Sequence, residues 1–362
     1  METLEVDLKE RSYRILVGGG LLGRIGDLVG EVLSEGRVAL VSDANVAPVY
    51  SEVVEEGLRY GGFEPATVVV PAGEESKSLR VAERLFNDFL DLGMDRRSAV
   101  VALGGGVVGD LAGFAAATFM RGVPYVQVPT SLIAQIDSSV GGKVAVNLER
   151  GKNLVGAFHQ PRAVIADVST LSTLPAGELV SGMAEVVKHG MIMDAELFAF
   201  VEEHCDSLMG LRQDLMSKLV AWNCRLKATV VQRDERESGL RAILNFGHTL
   251  GHALEAVHKY AGLRHGEAVA IGMVFASRAA VRIGMCERET LVRLKRLLER
   301  VGLPTRLPEG VAPGVVVETM HRDKKAQAGK VRWVLPRAIG DVQIGCEVPD
   351  DLVKELLERE VC

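Results

Sequence analysis

Residues 98–122, SAVVALGGGVVGDLAGFAAATFMRG, decide the fold. The opening SAVVAL is a continuous small and apolar run of strand length, the way a strand buried on both faces reads. Three glycines follow, and then VVGDLAGFAAATF at helical period. A strand that turns through glycine into a helix is the building unit of an α/β sheet. Gly104-x-Gly106-x-x-Gly109 also lets backbone N–H groups approach a pyrophosphate at the helix N-terminus. Asp110, in the first turn, cannot favour phosphate, but it can accept hydrogen bonds from a nicotinamide ribose or carboxamide.

The same unit repeats on either side. RVALVS (37–42), ATVVV (66–70), YVQV (125–128) and AVIADV (163–168) are short β-branched runs separated by helical-period segments. One of these segments, 79–92, has Ser78 before it and Gly93 just past its end. This alternation predicts an α/β nucleotide-binding domain over residues 1–173, with a doubly wound, mostly parallel sheet. From about Leu174 the segments become long and helical: 174–193, 194–204, 208–235, 247–260, 265–284 and 287–301. KVRWVLPRAIGDVQIGCEV (330–348) reads as a hairpin around Gly340, followed by a last helix at 351–360. Residues 174–362 are therefore expected to form a mainly α-helical second domain.

A second glycine match, Gly18-x-Gly20-x-x-Gly23, follows only a short strand. The acidic residue expected about 20 positions after a dinucleotide loop is Asp43, which suits that match (43 − 23 = 20). The fingerprint is thus divided between two loops, which points to a nucleotide fold other than the standard dehydrogenase one.

Composition excludes several classes. Of 362 residues, 48% are hydrophobic and 25% charged, enough for a sizeable core. The formal charge of −6 carries no basic stripe of the kind nucleic-acid binders show. The five cysteines are odd in number, widely spaced and without a CxxC pair, which fits a reducing compartment. The windows 102–119 and 268–285 are broken by Asp110 and Arg278, too early for a membrane span. METLEVDLKERSYRI has no apolar signal region. A cytosolic, soluble protein with neither a nucleic-acid nor a membrane partner is expected.

Two constellations carry chemistry. Asn245-Phe-Gly-His248-Thr-Leu-Gly-His252 places two histidines at i, i+4 on one helix face, and His265-Gly-Glu267 begins another helix 17 residues after His248 (265 − 248 = 17). Imidazoles so grouped suit zinc. Position 249 is Thr, so HExxH peptidase chemistry is disfavoured. A further ligand must come from elsewhere, and the best carboxylate is Glu185, one turn before Lys188 on an otherwise apolar helix. The second constellation is cationic. Arg121, Lys143, Lys152, Lys188, Lys227 and Arg241 sit beside glycine, small or apolar residues rather than in mixed-charge runs. Lysines in glycine loops suit phosphate and Arg241 suits a carboxylate, so together they indicate a doubly anionic small molecule.

With GGGVVGDLAGFAAATFMRG (104–122), QVPTSLIAQIDSSVGGKVAVN (127–147), GKNLVGAFHQP (151–161), LPAGELVSGMAEVVKHG (174–190), LKATVVQRDERESGLRAILNFGHTLGHALE (226–255) and HGEAVAIGM (265–273) in view, the chain resembles the 3-dehydroquinate synthase family of sugar-phosphate cyclases over nearly its whole length. The resemblance implies an α/β NAD-binding domain, a helical domain, an active site in the cleft between them, and a homodimer. It implies conversion of 3-deoxy-D-arabino-heptulosonate 7-phosphate to 3-dehydroquinate and phosphate, a step of the shikimate pathway towards aromatic amino acids. The course implied is oxidation at C5 by NAD, β-elimination of phosphate, reduction, ring opening and aldol closure, with zinc or cobalt as Lewis acid.

By motif position the resemblance makes Glu185, His248 and His265 the metal ligands, with His252 near the substrate instead. It assigns NAD to Asp43, Asn45, Gly73, Glu74, Lys77, Gly105, Gly106, Val107, Asp110, Thr130, Ser131, Lys143, Lys152, Thr170, Leu171 and Thr173. Substrate phosphate falls to Lys143, Asn153 and one of Lys324 and Lys325, with Arg121 reaching over from a partner subunit. The carboxylate falls to Lys227, Arg241 and Asn245, and Lys188 and Asp137 lie around the reacting hydroxyls. The catalytic set so implied is Asp137, Lys143, Lys188, Lys227, Arg241, Asn245 and His252. Phe119 and His189 stand where tyrosine is common in the family. A related cyclase, or a metal-dependent polyol dehydrogenase of similar fold, is the alternative.

Overall fold

The computed structural model describes residues 1–237, 239–257, 262–308, 312–325 and 331–360, leaving aside the side chains of 321–325 and 359–360. The chain divides into two compact units: Met1–Leu174 with Gln213–Arg236, and Pro175–Arg212 with Glu237–Cys362. The first change of unit along the chain falls at 174–175. The helical stretch that follows does not stay in one unit, however, because residues 213–236 belong with the first.

In chain order the first unit carries β1 (Glu2–Val6), β2 (Tyr13–Gly18), α1 (Ile25–Gly30), β3 (Arg37–Asp43), α2 (Ala47–Tyr60), β4 (Glu64–Val70), α3 (Leu79–Asp91), β5 (Ala99–Gly104), α4 (Gly106–Thr118), β6 (Tyr125–Pro129), β7 (Lys143–Leu148), β8 (Gly151–Phe158) and β9 (Ala163–Asp167). Seven strands form one sheet in the order β1-β2-β9-β6-β5-β3-β4, parallel except for β1. Alternate side chains of the central strands feed two cores. Ala39, Val41, Val100 and Ala102 pack with α3, α4 and the β7–β8 ribbon on one face. Val38, Leu40, Val101 and Leu103 pack with α1 and α2 on the other. Burial on both faces is why these strands read as unbroken apolar runs.

The strand order reverses between β3 and β5: from β3 the chain moves outward to β4, and from β5 it moves the other way to β6. The carboxyl ends of these two strands therefore mark a topological switch point, the place where doubly wound sheets hold nucleotides.

The second unit holds α5 (Ala176–Met193) and α6 (Ala195–Met209). The chain then returns to the first unit as α7 (Gln213–Arg233) before it forms α8 (His248–Val257), α9 (His265–Arg282), α10 (Arg288–Val301), α11 (Pro313–Lys325), the hairpin β10 (Trp333–Ala338) and β11 (Asp341–Cys346), and α12 (Asp350–Glu360). The expected single helix over 208–235 breaks at residues 210–212, where Leu211 takes a left-handed φ of 57°. That break lets α7 pack on β1 and β2. Asp194 ends α5, and its carboxylate accepts the Leu197 N–H at 2.9 Å to start α6. Along α5, Met183 to Ile192 are buried without interruption, as are Ala268 to Ser277 on α9, and α9 packs against α5, α8 and α10. Cys205, Cys224, Cys286 and Cys346 are buried free thiols. Among the described residues no helix is long and apolar enough to cross a membrane.

Candidate active site

Three elements of the second unit bring Glu185, His248 and His265 together. Among the described residues this is the one group of three or more His, Cys, Asp or Glu side chains whose potential ligand atoms all lie within 4.8 Å of one another. Glu185 sits midway along α5 and is fully buried, while His248 and His265 are the first residues of α8 and α9. Glu185 Oε1 lies 3.9 Å from His248 Nε2 and 3.6 Å from His265 Nε2, beyond hydrogen-bond reach. Both carboxylate oxygens are buried, and Oε2 is taken up by the Lys188 ammonium as an ion pair.

The charges follow from this packing. Burial pushes the Glu185 carboxyl up, but the Lys188 ammonium and the two imidazoles outweigh it and hold the group well below the usual carboxylate range. His248 is pushed down to about 3 by burial and by Lys188. Burial also pushes His265 down, yet Glu185 and Glu255 hold it up at about 10. The cluster thus offers an ionised carboxylate, one neutral imidazole and a second whose proton a cation displaces. One oxygen and two nitrogens at these separations fit a divalent cation of the zinc or cobalt type.

Close backbone approach sets the geometry. Ser181 precedes Glu185 by one turn on the same face of α5, and its hydroxyl accepts the Gly266 N–H at 3.0 Å. A Cβ on Gly266 would lie 2.0 Å from the Ser181 carbonyl oxygen, so only glycine lets α9 come close enough to bring His265 over Glu185. Gly247, with φ of +80°, makes the corresponding tight entry ahead of His248, against Val269 of α9. Gly266→Ala is therefore expected to destabilise the protein by about 1–3 kcal/mol, although alanine ordinarily favours a helix, and to weaken cobalt binding roughly tenfold or more. Urea unfolding and a cobalt titration check this; wild-type values in both would mean that the contact does not set the site.

His252, read with His248 as an i, i+4 ligand pair, is not in the ligand group. It is exposed on α8, its ring edge-on to His248 with centroids 5.2 Å apart. The carboxylate Glu185 takes the third place. Arg241 is buried in the 3-10 turn Leu240–Asn245, with Asn245 exposed at its end, and Lys188 is buried beside Glu185. Lys324 and Lys325 lie at the end of α11, their side chains outside the described residues.

In the first unit, Asp43 ends β3 and Gly104 ends β5, adjacent parallel strands on either side of the switch point. The divided fingerprint is thus reunited in space, its acidic residue and its glycine loop coming from neighbouring strands. Asp43 Oδ1 accepts the N–H groups of Asn45 and Val46 at 2.8 and 3.0 Å. Gly105 caps α4, and Thr130 N–H bonds the Gly104 carbonyl, so the Thr130–Ser131 corner lies against the loop. Thr170 donates to the Asp167 carbonyl at 2.8 Å, and Thr173 meets the Tyr50 hydroxyl at 2.8 Å. The other glycine loop is already occupied by a protein anion: the Asp167 carboxylate accepts from Gly20 and Leu22 N–H, both at 2.9 Å.

Several expected residues meet within this unit. Buried Lys77 donates to Asp110 at 2.7 Å and to Asn153 at 2.6 Å, while Asn147 joins Glu74 at 2.7 Å and the Asn153 N–H at 2.8 Å. Burial pushes the Asp110 carboxyl up even though Lys77 pulls it down. Asp137, on the π-helical turn Ala134–Ser138, pairs with Lys227 of α7. Lys143 is exposed and Lys152 half-buried on the β7–β8 ribbon. Arg121 is exposed after α4 with a left-handed φ of 69°.

Residues 67–181 match the family model described as 3-dehydroquinate synthase N-terminal, and residues 182–326 match 3-dehydroquinate synthase C-terminal. The chain is 49% identical over 359 residues to the 3-dehydroquinate synthase of Desulforamulus reducens, an alignment covering 99% of this chain and 100% of that protein. Among solved structures it is similar to 2-epi-5-epi-valiolone synthase from Streptomyces hygroscopicus subsp. jinggangensis with NAD+ and Zn2+ bound, with a TM-score of 0.89, 30% identity and 98% of each chain covered. It is also similar to 2-deoxy-scyllo-inosose synthase complexed with carbaglucose-6-phosphate, NAD+ and Co2+, with a TM-score of 0.88, 27% identity and coverage of 99% and 100%.

Proposed function

The chain belongs to the 3-dehydroquinate synthase family, and from that premise we propose that it converts 3-deoxy-D-arabino-heptulosonate 7-phosphate to 3-dehydroquinate and phosphate, as a phosphate-eliminating lyase of the cytoplasm that works as a homodimer. The conversion needs an oxidation, a β-elimination, a reduction, a ring opening and an aldol closure within one site. When bound, NAD supplies a reversible hydride acceptor and the divalent cation supplies Lewis acidity at the reacting hydroxyls.

The observation that carries the reading is the fully buried Glu185 carboxylate, whose Oε2 is held by the Lys188 ammonium while Oε1 faces two imidazole Nε2 atoms. Glu185, His248 and His265 hold the cation. Asp43, Asn45, Gly73, Glu74, Lys77, Gly105, Gly106, Val107, Asp110, Thr130, Ser131, Lys143, Lys152, Thr170, Leu171 and Thr173 hold the dinucleotide. Lys143 and Asn153 recognise the phosphate, together with Lys324 or Lys325 and Arg121 of a neighbouring subunit. Lys227, Arg241 and Asn245 recognise the carboxylate, while Lys188, Asp137 and His252 surround the hydroxyls whose protons move. A cyclase for a sugar phosphate without a carboxylate has no need of a buried Arg241.

The test mixes purified protein with the heptulosonate phosphate, trace NAD+ and Co2+. Many equivalents of phosphate released per NAD, with no net NADH absorbance, are expected. Stoichiometric NADH with no phosphate released would make the protein a polyol dehydrogenase instead.

A further inference from the structure

We propose that Glu255 is the positioning residue of the cation site: its carboxylate accepts the Nδ1–H of His265 and so turns the Nε2 of that ring toward Glu185. The proposal rests on reading Glu185, His248 and His265 as cation ligands.

An imidazole ligates through one nitrogen, and the hydrogen bond made by the other nitrogen decides which one. His248 settles this with backbone. Its Nδ1 lies 3.1 Å from the Phe246 carbonyl oxygen, leaving Nε2 on the side of Glu185. His265 has a carboxylate on each nitrogen: Glu255 Oε1 is 3.4 Å from Nδ1, and Glu185 Oε1 is 3.6 Å from Nε2. Glu185 is fully buried, and Glu255 is 7% exposed. A carboxylate withdrawn so far from water needs a partner, and the imidazole N–H supplies one.

The placement follows from helix period. Glu255 comes seven residues after His248 (255 − 248 = 7), two turns along the same face of α8, and α8 packs on α9. One helix therefore supplies a ligand of its own and the brace for the ligand that opens the next helix. The HxxxH spacing drew the sequence reading to His252, and the i+7 position on the same stripe is the signal it did not use.

The test measures Co2+ affinity of the metal-stripped full-length protein by chelator competition, with the metal alone as probe. Glu255→Leu, similar in size and without an acceptor, is expected to lose 10–100-fold in affinity, and Glu255→Gln, which keeps an acceptor oxygen, to stay within about fivefold of wild type. NAD affinity is expected to be unchanged in both. Equal affinity for wild type and Glu255→Leu, or an equal loss in both variants, would overturn the proposal. A readout that needs no variant is the ¹⁵N spectrum of the zinc-loaded wild type, in which His265 should be protonated at Nδ1 and ligated through Nε2; ligation through Nδ1 would overturn it. A wild-type protein that binds no Co2+ would instead remove the cation site itself, a separate failure.

Discussion

Glu185→Gln is expected to lower turnover by on the order of 10³-fold, equivalent to about 4 kcal/mol of transition-state stabilisation. It should also abolish cobalt binding at concentrations that saturate the wild type. The amide keeps the shape of the side chain and loses its charge, and the charge is what a divalent cation between two imidazoles requires. No nearby side chain in the ligand group can substitute, because the group consists of Glu185, His248 and His265 alone among the described residues. Activity and cobalt stoichiometry are measured together, with NAD binding as the check that the first unit is intact. Wild-type turnover with full cobalt occupancy in this variant would remove the metal assignment.

Lys188→Met is expected to cost the metal-free protein about 3–5 kcal/mol of stability, because it strands a fully buried carboxylate without its ammonium partner. Two further outcomes separate this cause from simple loss of packing. Saturating Co2+ should reduce the penalty, since the cation then supplies the positive charge. The double variant Glu185→Leu/Lys188→Met should recover most of the loss, since an apolar pair leaves no buried charge. Urea unfolding of the single and double variants, with chelator and with cobalt, measures all three. A single variant as stable as wild type in the presence of chelator would mean that Lys188 does not hold the Glu185 charge.

Much of this architecture was legible in the chain. β3, β5, β6 and β9 are buried on both faces and announced themselves as apolar runs, and Gly340 marked the turn of the last hairpin. β1, with its charged exposed positions, and the β7–β8 ribbon, with polar and glycine residues through it, carry no such signal. Glu185 and Lys188, i and i+3 on an otherwise apolar helix, stood out in the sequence, and the packing of α5 against α9 shows why that helix is apolar. The histidine spacing pointed to α8, but the side chains that meet in space are His248, His265 and Glu185, without His252. A helix face presents every fourth residue alike, and only the angle at which α8 meets α5 and α9 decides which of them a cation can reach. Asp43 looked misplaced by the linear fingerprint because strand adjacency, β3 beside β5, is a property of topology and not of sequence distance.

The polypeptide passes between the two units three times, at 174–175, 212–213 and 236–237. Domains made early in synthesis ordinarily fold as they emerge. Here the half begun first must wait: the helix that packs on β1 and β2 and supplies Lys227 to Asp137 is made only after 38 intervening residues of the other half (175–212) have been synthesised. The order of manufacture and the order of completion are therefore uncoupled.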